Sequence, residues 1–211
     1  MAGIQEVYDL VLKGKAKKVA GAVTEALDAG CDPTAILNEG MIAAMDEVGA
    51  KFKNGEIFVP EMLVAAKAMK NGVEVLKPHL ASGVAGAAGK VIIGTVAGDL
   101  HDIGKNLVAM MLESSGFEVI DLGVDVPKEK FVEAYEQNPD TKIICCSALL
   151  TTTMTAMKDT VALLNSSSFR DKIKVMVGGA PINEAFAEEI GADAYTEDAA
   201  SCAQRAKELV A

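Results

Sequence analysis

Apolar residues recur at helical spacing through the first eighty positions and then give way to short, continuous apolar runs. Residues 4–12 and 16–29 each carry one apolar stripe, and Gly30 stands where a C-terminal cap is expected. Asp32-Pro33 is a helix start, with Asp32 as the cap and Pro33 in the first turn. The helix it opens runs through Ile36, Leu37, Met41, Ile42, Met45 and Val48 to about Phe52, where Lys53-Asn54-Gly55-Glu56 turns the chain. Pro60 opens a fourth helix with Met62, Leu63, Ala66, Met69, Val73 and Leu76 on its inner side. Met41, Met45, Met62 and Met69 read as core filler. Four amphipathic helices with short connections predict an antiparallel all-α bundle over residues 1–80.

Residues 81–89 are small and glycine-rich and read as a linker. From Lys90 the pattern alternates. Strands are predicted at 91–97, 118–122, 142–147, 174–178 and, more weakly, 194–196. Helices are predicted at 104–115, 128–137, 153–165, 182–190 and 199–210. Five βα units with near-continuous apolar strands imply an α/β domain over 90–211. Its expected form is a flavodoxin-like, doubly wound parallel sheet of order 2-1-3-4-5.

Charge narrows the partners. Thirty acids against twenty bases leave a formal net charge of −10. That argues against nucleic acid, which needs a basic surface, and the absence of tryptophan argues against a platform for stacking bases. The four cysteines (Cys31, Cys145, Cys146 and Cys202) show no Cys-x-x-Cys or zinc-ligand spacing, and Cys145 and Cys146 sit inside an apolar run. With no run long enough for a bilayer and no signal peptide at the start, the expectation is a reduced, cytoplasmic protein without a structural metal.

The candidate chemistry lies at three predicted strand ends. Asp99-Leu100-His101-Asp102-Ile103-Gly104 follows the first strand, and Asp99 and His101 are placed to pair. A carboxylate on one ring nitrogen fixes the tautomer and leaves the other nitrogen free for a metal. Ser147, Leu149, Thr151 and Thr153 follow the third strand, and Gly178-Gly179-Ala180-Pro181 follows the fourth. In the order 2-1-3-4-5 all three loops meet at the switch point of one sheet edge, where ligands bind. The absence of Gly-x-Gly-x-x-Gly after the first strand and of a P-loop speaks against NAD or ATP. A phosphoacceptor domain of this topology needs a carboxylate where Cys146 and Ser147 stand. Taken singly the pieces are ordinary: Thr152 reads as a helix cap, a glycine pair as a turn, and His79 as a solvated helix-end residue.

Together, Asp99-x-His101-x-x-Gly104, Ser147-x-Leu149 and Gly178-Gly179 resemble the B12-binding signature of the methionine synthase class. Glu56-Ile-Phe-Val-Pro60-Glu and Val177-Gly-Gly-Ala-Pro181 extend the resemblance over nearly all of the chain, to the corrinoid proteins of methylamine, quaternary-amine and methanol methyltransferase systems. The resemblance implies a cobalamin or related corrinoid bound with its benzimidazole displaced and His101 as lower axial ligand to cobalt. Asp99 holds His101. Thr153 completes the relay where the methionine synthase pattern has serine. Asp102, Ile103 and Gly104 belong to the loop that meets the corrin. Ser147 and Thr151 contact the buried tail, Leu149, Gly178 and Gly179 shape its channel, and Tyr195 and Thr196 touch the nucleotide loop. The helical bundle resembles the cap over the corrin's upper face, and the linker implies that it swings.

The implied role is a methyl carrier and not a self-sufficient enzyme. A substrate:corrinoid methyltransferase, with an amine or quaternary amine favoured as donor, methylates Co(I). A second methyltransferase passes the group from methyl-Co(III) to a thiol or tetrahydrofolate, and a reductive activator restores Co(I). Exchanging Asp99 for Asn is then expected to change the pH dependence of the cobalt couple. The rival readings are the B12 subunit of a radical mutase, which usually lacks this bundle, and a B12-dependent sensor, which needs a basic output module the first 80 residues do not show. A third is a flavodoxin-like protein without B12.

Overall fold

A computed structural model describes residues 2–80 and 88–211. These fall into two compact units, a helical one before Ala88 and an α/β one beginning there. Most of the expected linker, residues 81–87, lies outside the described residues, and Gly89 already belongs to the first strand.

The helical unit contains α1 (Ala2–Leu12), α2 (Val19–Asp28), α3 (Pro33–Ala35), a π-helical stretch (Ile36–Ile42), α4 (Ala43–Lys53), α5 (Val59–Leu76) and a 3-10 turn (Lys77–His79). Asp32 caps α3 as expected, its carboxylate accepting the Ala35 N–H at 2.9 Å. Three departures from the expectation have local causes. First, α2 starts at Val19 and not at Ala16, because Gly14 turns left-handed (φ 62°) and the Asn71 amide holds the Ala16 carbonyl at 2.8 Å. Second, α3, the π stretch and α4 follow one another without a break, and the Ala43 N–H reaches back five residues to Asn38. One extra residue in that turn rotates the apolar face. Third, Leu63 faces out, not in. With Phe58, Val59 and Val64 it forms an exposed apolar face at the start of α5. The inner side of α5 is made instead by Met62, Ala65, Ala66, Ala68, Met69, Gly72 and Leu76. Met41, Met45, Met62 and Met69 are all buried, as expected.

The second unit is a five-stranded, all-parallel sheet of order β2-β1-β3-β4-β5. Its strands are β1 (Gly89–Thr95), β2 (Phe117–Asp121), β3 (Thr141–Ser147), β4 (Lys174–Gly178) and β5 (Ala194–Tyr195). The helices are α6 (Ile103–Ser114), α7 (Lys128–Gln137), α8 (Met154–Asn165), α9 (Glu184–Ile190) and α10 (Ala199–Val210). Ile92, Ile144, Cys146, Val175 and Val177 on one sheet face pack with Phe131, Met157, Val161 and Leu164 of α7 and α8. Alternation sends Cys145 to the other face, where its thiol meets that of Cys202 on α10. Burial pushes the Cys146 thiol up to about 12, so it stays protonated and inert.

β1 ends two residues earlier than expected. Beyond Thr95 the chain makes a single bridge from Val96 to Val126 and turns at Gly98 (φ 80°). Thr95, Ser147 and Gly178 therefore lie side by side at the carboxyl edge of the three central strands. Among the described residues no helix is long and apolar enough to cross a membrane.

Candidate functional site

Asp99 is the centre of the site. Its side chain is 0% exposed, yet it makes five hydrogen bonds. Oδ1 accepts the His101 ring Nδ1–H at 2.7 Å and the His101 backbone N–H at 3.1 Å. Oδ2 accepts the N–H of Leu149 at 2.7 Å, the N–H of Leu150 at 3.3 Å and the Thr153 hydroxyl at 2.8 Å. Burial pushes this carboxyl up, but the donors from Leu149, His101 and Thr153 outweigh it and hold it well below the usual carboxylate range. An ionised carboxylate accepts only, so Nδ1 carries a proton, and in the neutral imidazole Nε2 is the nitrogen with the lone pair.

The loop after β1 thus reaches the loop after β3 through a single carboxylate. The 3-10 turn Thr151–Thr153 delivers the Thr153 hydroxyl, while Leu149 contributes through its backbone. Thr152, expected as a helix cap, is exposed, and no side chain caps α8: the hydroxyl one residue on is drawn to Asp99. The loop after β4 is locked to the same place. A Cβ built on Gly179 (φ 129°) would stand 1.8 Å from the Ala148 carbonyl oxygen, so only glycine fits there.

The remaining residues singled out in the sequence divide by role. Ser147 is half-buried beside Gly178, and among the described residues its hydroxyl has no partner. Thr151 is exposed. Tyr195 and Thr196 are half-buried at the end of β5, with the Thr196 carbonyl beside Gly178. Asp102 starts α6, its carbonyl accepting the Asn106 N–H at 2.7 Å. A Cβ on Gly104 would meet nothing within 4 Å, so the helix start is open on that side. His79 is exposed at a helix end.

Three participants escaped the sequence reading. The buried Thr95 hydroxyl holds the His101 carbonyl at 2.9 Å. Asp125 accepts the Gly98 N–H at 2.7 Å. Lys105, its side chain 1% exposed, joins the start of α6 to the end of β2 through Asp121 Oδ2 at 2.5 Å. No local sequence signal marked them: Thr95 becomes the last residue of β1 only because the strand stops two residues short of the expected end.

The imidazole itself is half open, with 49% of its side chain exposed, and lies between Leu100 (73%) and Ile103 (85%), with exposed Leu149 and Leu150 on the loop opposite. Among the described residues no three His, Cys, Asp or Glu side chains are grouped to hold a metal ion. The arrangement is one nitrogen donor in an apolar rim. It suits a metal that brings its own in-plane ligands within a broad apolar frame.

Comparison with known proteins agrees. The B12 binding domain family matches residues 89–203, and a second family of the same description, B12 binding domain, matches residues 4–77. The chain is 45% identical over 210 residues to the dimethylamine corrinoid protein of Methanosarcina barkeri, covering 99% of this chain and 97% of that one. It also superposes on the solved methanol:cobalamin methyltransferase complex of Methanosarcina barkeri with a TM-score of 0.86 at 30% identity, covering 99% of this chain and 80% of that chain. For the monomethylamine corrinoid protein of the same organism the TM-score is 0.56 at 39% identity, covering 99% and 98%. The fold and site define a B12-binding α/β domain preceded by a helical one, and the chain belongs to the B12-binding corrinoid proteins.

Proposed function

We propose that this chain is a corrinoid methyl carrier, non-catalytic by itself, that serves a methylamine-type methyltransferase system. The observation that carries the reading is the single imidazole with Nδ1 bound to Asp99 and Nε2 free at the open edge of the sheet. His101 is the lower axial ligand to the cobalt of cobalamin or a related corrinoid, whose own base is displaced. Bound there, the group supplies a cobalt centre that accepts a methyl group in its reduced state and yields it to a second acceptor.

The chain's residues do the holding. Asp99, fixed by Thr153 and by the Leu149 and Leu150 N–H groups, sets the tautomer and the aim of the ring. Leu100 and Ile103 are the apolar ledge, and covering them recovers roughly 1.5–3 kcal/mol each. Ser147, Thr151, Gly178, Tyr195 and Thr196 line the path of the displaced tail, and the Ser147 hydroxyl is available to it. The helical unit keeps the role of cap that the resemblance implies, and Phe58, Val59, Leu63 and Val64 leave it an exposed apolar face.

The partners are a substrate:corrinoid methyltransferase, a second methyltransferase acting on a thiol or tetrahydrofolate, and a reductive activator. The named relatives favour an amine donor over methanol. The test is to reconstitute the protein with cobalamin, reduce it, and add a dimethylamine or trimethylamine methyltransferase with its amine. Methylation of the protein-bound cofactor with an amine supports the reading; a chain that stays colourless after reconstitution refutes it.

A further inference from the structure

The geometry points to Asp125 as a positioning residue for the His101 imidazole, acting through the Gly98–Asp99 peptide. The inference rests on His101 being the axial ligand. Asp125 lies in the loop after β2, away from the signature residues. It is the one non-glycine among the described residues with a left-handed backbone, φ 53°. Its carboxylate Oδ1 accepts the N–H of Gly98 at 2.7 Å, while its own N–H donates to the carbonyl of Asp99 at 2.9 Å. Asp125 therefore grips the chain on both sides of one peptide. The next residue stitches that grip to the sheet, since the Val126 N–H donates to the Thr95 carbonyl at 2.9 Å.

The other end of the turn is held separately, by the Thr95 hydroxyl on the His101 carbonyl at 2.9 Å. Between these anchors sit the Asp99 carboxylate and the ring it holds at 2.7 Å. A shift of the Gly98–Asp99 peptide moves carboxylate and imidazole together, so Asp125 sets the aim of Nε2 without touching a ligand. The residue type fits this role. A left-handed position accepts glycine, asparagine or aspartate. Glycine would relieve the backbone but bring no acceptor; aspartate supplies both the backbone conformation and the oxygen that fixes Gly98.

Asp125→Gly and Asp125→Asn separate the two contributions, and both keep a residue that tolerates the observed backbone. In the full-length chain without cofactor, nitrogen NMR of His101 reads the tautomer and amide exchange reads Gly98. Asp125→Gly is expected to raise the minority tautomer and to speed Gly98 exchange more than tenfold, and Asp125→Asn to restore both to wild-type values. After reconstitution with cobalamin and reduction to Co(II), the fraction of cobalt showing an axial histidine nitrogen by electron paramagnetic resonance falls in the glycine variant and not in the asparagine variant. A glycine variant that melts lower but keeps the wild-type tautomer and axial fraction makes Asp125 a loop brace only and overturns the proposal. If the glycine variant is insoluble, a changed tautomer in Asp125→Asn overturns it equally. Wild-type cobalt without a histidine nitrogen would sink the axial-ligand reading and this proposal's cobalt readout, while the cofactor-free tautomer result would still decide whether Asp125 positions the ring.

Discussion

Replacing Thr153 by valine deletes one hydroxyl and almost no volume at a residue 5% exposed. That hydroxyl lies within hydrogen-bond distance of both Asp99 Oδ2, at 2.8 Å, and the Leu150 carbonyl, at 2.9 Å. Its single proton goes to the carboxylate, because a hydrogen bond to a charged group is the stronger one. Such a bond contributes about 1.5–3 kcal/mol. Oδ2 keeps the Leu149 and Leu150 N–H groups, so the lower half applies, and the expected loss is about 1.5–2 kcal/mol. For a chain of this length that lowers the melting temperature by about 3–8 °C. Thr153→Ser keeps the donor and loses one methyl group, about 0.8 kcal/mol. Thermal and denaturant unfolding of the cofactor-free chain, followed by a probe in the sheet unit, reads the order directly. A valine variant as stable as wild type, or a serine variant worse than valine, would refute the claim that the hydroxyl supports the Asp99 charge.

Other outcomes follow from the same geometry. His101→Ala removes a half-exposed ring and one of five bonds to Asp99, so cofactor-free stability should fall by only about 1.5 kcal/mol, while cobalamin binding, measured by equilibrium titration, weakens at least tenfold. Gly179→Ala drives a Cβ into the Ala148 carbonyl and should cost on the order of 4 kcal/mol, visible as a collapsed denaturation midpoint or insoluble protein. Phe58→Ser with Leu63→Ser alters exposed side chains, so stability should change by less than about 0.5 kcal/mol each; a larger loss in denaturant unfolding would contradict their exposure.

What was legible in the sequence was whatever local pattern determines. β4 and α7 have the observed bounds, 174–178 and 128–137, because turn residues and polar breaks bracket them. The strand order followed from five βα repeats. β1 was drawn too long because Val96 and Ala97 prolong an apolar run, and nothing local reveals that Val96 leaves the ladder to bridge Val126. The π-helical turn at Ile36–Ile42 is invisible to an apolar count, since one extra residue leaves the composition unchanged. Spacing alone puts Leu63 inside, yet it is exposed together with Phe58, Val59 and Val64. At the candidate site, the hydrogen bonds of Asp99 to His101 and Thr153 were legible because their residue types carry chemistry. Lys105 and Asp125 were missed because their partners, Asp121 and Gly98, lie in other segments of the chain, and Thr95 because its hydroxyl meets a backbone carbonyl that no residue type announces.

The central claim is that the imidazole nitrogen of His101 is the lower ligand of cobalt, and isotope substitution tests it most directly. Protein labelled with nitrogen-15 in histidine alone is reconstituted with unlabelled cobalamin, reduced to Co(II), and examined by electron paramagnetic resonance beside a His79→Gln control. The account predicts that each cobalt line splits into a doublet, from a spin-one-half nitrogen supplied by the protein, and that the control is unchanged. Triplets from the cofactor's own nitrogen-14 base, or a doublet lost with His79, would contradict it.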